Sequence, residues 1–161
     1  MSLFGKMDAA NIPTNPYFIE EGEYTAEVTK ALFKENRDGK RQLQIEYTLN
    51  GGSNGVETQF VDSRASQYFD LVDSDLDNQK MALLPVDEQK KIRRDLSTLK
   101  RNLCGNDNNP AQKGLGVDSD DLNDVNWNPA SLIGTKVNIA ISNYGPTKEG
   151  VNIKWVNLIQ D

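Results

Sequence analysis

The chain has 161 residues and a formal net charge of −6, with no histidine and a single cysteine, Cys104. This length suits one domain that buries its core without cross-links. The absence of histidine excludes hydrolase triads built on imidazole, and one cysteine excludes an internal disulfide and a Cys/His zinc site. Cys104 is interpreted as a small apolar residue beside a helix.

Five segments have the composition and alternation of β-strands. In chain order they cover residues 24–33, 43–49, 56–61, 137–141 and 151–155. Asp38-Gly39 supplies the positive-φ residues that a tight turn between the first two strands requires. Residues 1–20 are predicted to form an N-terminal arm and residues 21–161 the domain.

One helix is predicted between the third and fourth strands. Its apolar residues lie on one face at spacings of four, three and four residues: Ile92, Leu96, Leu99 and Leu103. Asp87 is the predicted N-cap and Gly105 the residue just past the end. A second, shorter helical piece is predicted within residues 71–84. Three strands, a helix and two further strands are the element order of a five-stranded OB-fold barrel, an all-β fold with one capping helix.

Two acidic segments were considered as functional sites. Residues 73–77 copy the opening of a calcium loop, but Asn78 and Leu84 replace its turn glycine and closing glutamate, which favours a solvated turn or helix start. Residues 106–128 carry five aspartates against one lysine, a net charge of −4. We predict that they form an acidic polar insertion, either regulatory, partner-docking or without a role.

No metal, cofactor or catalysis is expected, because the carboxylates stand at no recognisable acid–base site. A metal-dependent nuclease or phosphatase is the enzymatic alternative. No apolar run reaches membrane-spanning length, and residues 1–16 lack the layout of a secretory signal, so we expect a cytoplasmic protein.

The negative charge is unevenly distributed. Residues 30–41 carry five basic side chains against two acidic ones, a net charge of +3 on the first hairpin. In OB barrels this hairpin and the loop between strands four and five, here residues 143–150, flank the groove that binds single-stranded nucleic acid. Cations beside exposed aromatic rings bind single strands with little sequence preference. The basic residues of the helix are expected to form a solvated face, away from that groove.

The alternation of side chains along each strand indicates which aromatic residues face the core. Phe33 faces the side opposite to Val28 unless a bulge intervenes, so base stacking and packing at the core edge are both open. Tyr144, in a loop, favours stacking, whereas Tyr47 and Trp155 favour the core. The predicted nucleic-acid-binding residues are Phe33, Lys34, Arg37, Lys40, Arg41, Arg64, Tyr144 and Lys148.

Four stretches, residues 22–28, 38–43, 132–137 and 150–153, together resemble the small OB-fold single-stranded-DNA-binding proteins of tailed bacteriophages. The resemblance covers about residues 21–159 and rests on the order of the stretches, since none is specific alone. It implies a protein that coats single-stranded DNA during phage replication and recombination in a bacterial cytoplasm, with replication or recombination proteins as partners. The alternative is an OB-like structural module, such as a virion component, that binds protein or oligosaccharide and no DNA.

Overall fold

The computed structural model describes residues 15–52, 60–72, 76–106, 108–122, 124 and 126–159. In this part of the chain five strands form one antiparallel sheet in the order β3-β2-β1-β4-β5. The strands are β1 (Gly22–Glu35), β2 (Arg41–Gly52), β3 (Arg64–Asp70), β4 (Lys136–Tyr144) and β5 (Gly150–Leu158). The helices α1 (Asn78–Ala82), α2 (Val86–Cys104) and α3 (Ser119–Leu122) and a 3-10 turn (Pro129–Leu132) lie between β3 and β4. Within the described residues, none of the helices could span a membrane.

The central strand β1 is irregular in its pairing. It pairs with β2 along most of its length and with β4 through residues 22–27. Its register against β2 shifts between Thr25 and Ala26 and again between Val28 and Lys30. Such irregularities increase the local twist of a sheet. The edge strands β3 and β5 approach within 8 Å, Cα to Cα, so the sheet is curved into a barrel-like all-β structure.

Alternating residues of the strands form the core. Tyr47 and Ile45 of β2 have no exposed surface, and neither has Ile139 of β4.

Four of the five predicted strands are confirmed, and each is longer in the structure than the pattern predicted. Gly39 has φ of 77° in the turn between β1 and β2, as predicted.

The third strand is not where the sequence pattern placed it. Residues 56–59 lie outside the described residues, Phe60 lies in a 3-10 turn, and the strand itself is β3. The inward side chain of Gln67 is polar: its Oε1 accepts a hydrogen bond from Tyr47 Oη at 2.7 Å, and its Nε2 donates to Asn102 Oδ1 at 3.1 Å. A polar residue facing inward and the exposed Tyr68 facing outward obscure the alternation of this strand.

Helix α2 is confirmed, with a different N-terminus. Its N-cap is Pro85, without a side-chain hydrogen bond, and Asp87 lies in the first turn, where a negative charge favours the helix dipole. Gly105 ends the helix with φ of 91°. Leu103 is fully buried, but Leu96 is 39 % exposed. The helix therefore packs on the sheet mainly through its C-terminal turn.

The short helix α1 lies inside the second helical piece that the sequence predicted. Asp77 Oδ1 caps it by accepting a hydrogen bond from the Lys80 N–H at 2.8 Å. The remaining acidic residues of the calcium-like segment, 73–75, lie outside the described residues. Asp77 thus acts as a helix cap, in agreement with the interpretation of this segment as a helix start.

The described residues of the acidic insertion pack on the domain. Leu115 is 3 % exposed and belongs to the core. Its N–H bonds to Asn102 O at 3.0 Å, and the Val117 N–H bonds to Leu103 O at 2.9 Å, so the segment ties to the last turn of α2. A further link joins Lys113 N–H to the Asn157 side chain of β5 at 3.0 Å. Part of this insertion is therefore structural.

We predict a tyrosine-dependent loss of stability at alkaline pH. Burial raises the pKa of Tyr47 far above its ordinary value near 10, and burial with the Glu20 charge raises the pKa of Tyr24 to about 12. The unfolded chain releases both protons near pH 10 while the folded protein keeps them, so this stability is complete below pH 10 and falls above it. For each tyrosine the free energy of unfolding should drop by about 1.4 kcal/mol per pH unit.

Urea denaturation between about pH 9 and pH 12 measures this slope. We expect Tyr47→Phe to remove the contribution of Tyr47 and to make the decline above pH 10 less steep. An unaltered slope in Tyr47→Phe would contradict the burial argument.

Candidate nucleic-acid interface

Three exposed tyrosines line one groove on the outer face of the sheet. Tyr17, Tyr68 and Tyr144 are 78 %, 53 % and 60 % exposed. They surround a volume of about 530 Å³ between β2, β3 and the β4–β5 hairpin, and Arg64 lines the same volume. We call this site, defined by Tyr17, Tyr68, Tyr144 and Arg64, the tyrosine groove. Exposed rings of this size are uncommon on a surface without a ligand, which makes the groove the leading candidate site.

Tyr68 is held in place by one contact to its hydroxyl group and one to its ring. It points outward from β3, and its hydroxyl accepts a hydrogen bond from Gln44 Nε2 at 3.2 Å. Lys34 Nζ lies 5.2 Å from the centroid of the ring, within the range of a cation–π contact. The predicted residue Lys34 thus places a positive charge next to an aromatic ring that the sequence analysis did not select.

Tyr144 is positioned by a glycine. It is the last residue of β4 and pairs with Gly150, the first residue of β5. A Cβ atom added to Gly150 would lie 2.7 Å from the Tyr144 ring, closer than real Cβ contacts. The ring can therefore occupy this place only over a residue without a side chain. Lys148 lies exposed in the same hairpin with φ of 57°.

Tyr17 reaches the groove because residues 15–19, which the sequence analysis assigned to an arm, pack on the domain. Asn15 Nδ2 donates to Glu149 O at 2.9 Å, and its Oδ1 accepts from the Tyr17 N–H at 3.0 Å. Ile19 is 1 % exposed and lies in the core. These anchors on both sides fix Tyr17 beside the β4–β5 hairpin. Residues 1–14 lie outside the described residues.

Phe33 lies on the other face of the sheet. The register shift passes over Thr29, so that Val28 pairs with Tyr47 and Lys30 with Glu46. The residues of β1 that face inward are therefore even-numbered before Thr29 and odd-numbered after it. Phe33 consequently points to the same side as the core. It is 42 % exposed, its ring lies edge-on to Trp127 at 6.3 Å, and the Arg41 guanidinium lies 5.5 Å from its centroid.

Phe33 and Arg41 line a separate groove of about 700 Å³ between β1, α2 and the segment that follows α3. We call this site, defined by Phe33, Arg41, Lys100 and Trp127, the helix groove. A smaller groove of about 360 Å³ beside it is lined by Lys40 and Lys91 and also includes Arg41. Lys91 and Lys100 of α2 therefore lie near basic residues of the first hairpin, although neither lines the tyrosine groove.

The structure divides the eight predicted residues between these sites. Arg64 and Tyr144 line the tyrosine groove, with Lys34 against Tyr68, whereas Phe33, Lys40 and Arg41 lie on the helix side. Arg37 and Lys148 are exposed in the two hairpin loops. Trp155, which parity assigned to the core, is 37 % exposed, and Tyr47 is buried as predicted.

Sequence reasoning missed Tyr17 and Tyr68. Had the third strand been predicted at residues 64–70, the alternation of its side chains would have placed Tyr68 on the outward face.

In the described part of the chain, no group of three Asp, Glu, Cys or His side chains is arranged to hold a metal ion. The chain matches no protein-family model and no curated protein at a significant level.

We expect Gly150→Ala to weaken the ligand affinity of the tyrosine groove by displacing the Tyr144 ring. The φ of Gly150 lies outside the left-handed region, so the added methyl group acts through contact with the ring and not through backbone strain. For a stacking ligand the loss should be a large part of the roughly 1–3 kcal/mol that one stacked base contributes.

The matched control is Gly51→Ala, another strand glycine, whose Cβ would meet only Thr25 Oγ1 at an ordinary 3.8 Å. Titration of labelled oligonucleotides measures both variants. In a Tyr144→Ala background Gly150→Ala should have no further effect, and additive losses would argue against positioning through the ring.

Proposed function

We propose that this protein is an OB-fold single-stranded-DNA-binding protein that coats its ligand with little regard to sequence. The tyrosine groove carries the proposal: three exposed rings face one groove, with Arg64 at its wall and Lys34 against Tyr68. Every base has a π-face, so rings beside cations bind single strands of any sequence, whereas the bases of a duplex are already stacked on each other. The strand order and the approach of β3 to β5 support the OB fold.

In this proposal bases stack on Tyr68 and Tyr144, and phosphates lie near Lys34, Arg64 and Lys148. The net charge of −6 does not oppose such binding, because physiological salt screens exposed charges beyond about 8 Å and the charges near the groove therefore decide. Asp124 of the acidic segment lines the helix groove and not the tyrosine groove. The cations Arg64 and Lys34 therefore lie next to the rings themselves, with Glu46 in the same lining.

The biological role follows from the resemblance to tailed-bacteriophage proteins. We propose that the protein covers single-stranded DNA during phage replication and recombination in the bacterial cytoplasm, where replication or recombination proteins are its partners. Coating needs neither catalysis nor a cofactor. Stacking and phosphate contacts supply the whole binding energy.

The deciding experiment compares labelled oligo-dT with a duplex of equal length by fluorescence anisotropy across a salt series. We expect preference for the single strand and weaker binding as salt rises. Each neutralised phosphate contributes about −0.7 to the log–log slope, so three cations at the tyrosine groove should give a slope of about −2. Equal affinity for duplex, or a flat salt response, would contradict the proposal.

A second candidate is an OB-like module that binds an oligosaccharide. The same rings can stack on the faces of sugars, and Gln44 and Glu46, which line the tyrosine groove, could hydrogen-bond hydroxyl groups. Such a protein would bind a neutral oligosaccharide with no salt dependence and would not bind oligo-dT. The anisotropy series therefore separates the two candidates.

A further inference from the structure

We infer that the helix groove is a second base-binding site, on the opposite side of the first hairpin from the tyrosine groove. A DNA strand longer than the tyrosine groove would pass around the hairpin and stack a base against Phe33 and Trp127. The inference rests on the proposed function and extends it by defining where a longer ligand goes.

The accessible surface of the helix groove has the chemistry of a nucleotide site. Two of its aliphatic residues are closed to solvent, since Leu43 and Leu103 are 1 % and 0 % exposed, whereas Leu99 and Leu122 are partly buried and Leu96 is exposed. What a ligand meets is the half-exposed Phe33 ring, the partly buried Trp127 at its edge, and the Arg41 guanidinium above it. A ring with a cation beside it can hold a base by stacking and a phosphate by charge.

The first hairpin brings the two grooves close together. The smaller groove extends the helix groove, with which it shares Arg41, and carries Lys40 and Lys91 as well. Asp70, Glu88 and Asp95 line it too, so its three cations are matched by three carboxylates and the inference does not depend on it. At the base of the hairpin, neighbouring residues of β1 point to opposite faces: Lys34 contacts Tyr68, and Phe33 contacts Trp127.

A docked protein segment is the other occupant to consider. Such a segment would need exposed aliphatic surface, and Leu96 is the one leucine lining this groove among the large exposed apolar residues. The Phe33 ring with the Arg41 guanidinium beside it, in a groove that Lys100 and Asp124 also line, favours the nucleotide. The experiment below separates the two occupants.

The first test uses the fluorescence of Trp127 in the full chain with Trp155→Phe, which leaves one tryptophan. Oligo-dT of about 5 and about 30 nucleotides are compared, since one OB fold covers roughly 4–16 nucleotides. DNA is kept in excess, so that each strand carries one protein. We expect both oligonucleotides to bind by anisotropy, but only the longer one to quench Trp127. Quenching by both lengths, or by neither, would overturn the inference.

The second test measures affinity in Phe33→Leu, with Arg41→Gln as an independent variant that leaves the ring in place. We expect Phe33→Leu to weaken the longer oligonucleotide by about 5- to 150-fold, the factor that one stacked base represents, and to leave the shorter one unchanged. Tyr144→Ala, the control, should weaken both lengths. Thermal melting of each variant checks that it is folded.

The outcomes distinguish this inference from the function on which it rests. If both oligonucleotides bind but neither variant affects the longer one, the second site is refuted and the tyrosine groove stands, leaving the helix groove to a protein segment. If no oligonucleotide binds at all, the proposed function itself fails.

Discussion

Replacing Tyr68 or Tyr144 by alanine should weaken single-stranded DNA binding by about 1–3 kcal/mol each while leaving the salt dependence of binding unchanged. Both rings are more than half exposed, at 53 % and 60 %, so their loss removes a stacking surface without opening a cavity. Their removal changes no charge, so the number of released counterions should stay the same. The double variant should lose the most, because it removes two of the three rings of the groove.

The matched comparison is Arg64→Gln, which keeps the rings and removes one cation. It should lower the steepness of the log–log salt slope by about 0.7 and have a smaller effect at high salt. Anisotropy titrations over the same salt series measure all four variants. If either alanine variant melts at a much lower temperature while the folded protein keeps its affinity, the ring is structural and its assignment to the site is wrong.

Gly105→Ala is expected to be the most destabilising single substitution in the junction between α2 and the acidic segment. A Cβ atom at Gly105 would lie 2.1 Å from Gln112 O and 2.7 Å from Lys113 Cα. These are backbone atoms of a segment tied to the core through Leu115, so neither side can move freely. With the cost of a strained φ added, we expect a loss of more than about 3 kcal/mol in the free energy of unfolding.

Gly134→Ala isolates the backbone part of that loss. Gly134 has φ of 96° against 91° for Gly105, but a Cβ atom there would meet nothing within 4 Å. It should cost only about 1–3 kcal/mol, the strain of a side chain in this region of φ. Urea denaturation compares the two variants. Equal losses would mean that the acidic segment does not pack against α2 as tightly as these distances require.

The same contacts limit what the acidic segment can do. The sequence predicted an acidic polar insertion, but its described residues include Leu115 in the core and Gly114, whose Cβ atom would lie 2.4 Å from Asn102 O. The residues of the segment that face solvent, and are accessible to a partner, include Asp118 and Asp120. Neutralising those aspartates tests a regulatory role without removing core residues.

Local periodicity by itself determined much of the fold. The alternation in β2 and the apolar stripe of α2 were readable because each depends on one element and one buried face. The same holds for the turn at Gly39, where the residue type alone sets the accessible φ. The basic first hairpin and the exposed Tyr144 could likewise be found from composition and position in the chain.

Only the tertiary structure decided which of these residues share a site. The bulge at Thr29 reverses the inward parity of β1, so that Phe33 faces the helix groove and Lys34 contacts Tyr68 of the tyrosine groove, and not the reverse. A bulge is set by how β1 pairs with β2 and β4, not by the residue that it contains. Tyr17 joins the tyrosine groove because its neighbour Asn15 donates hydrogen bonds to Glu149, 134 residues further along the chain. Contacts between residues so far apart cannot be predicted from side-chain periodicity. Periodicity shows which residues share a face within one helix or strand, whereas these contacts depend on how the strands are arranged in the folded sheet.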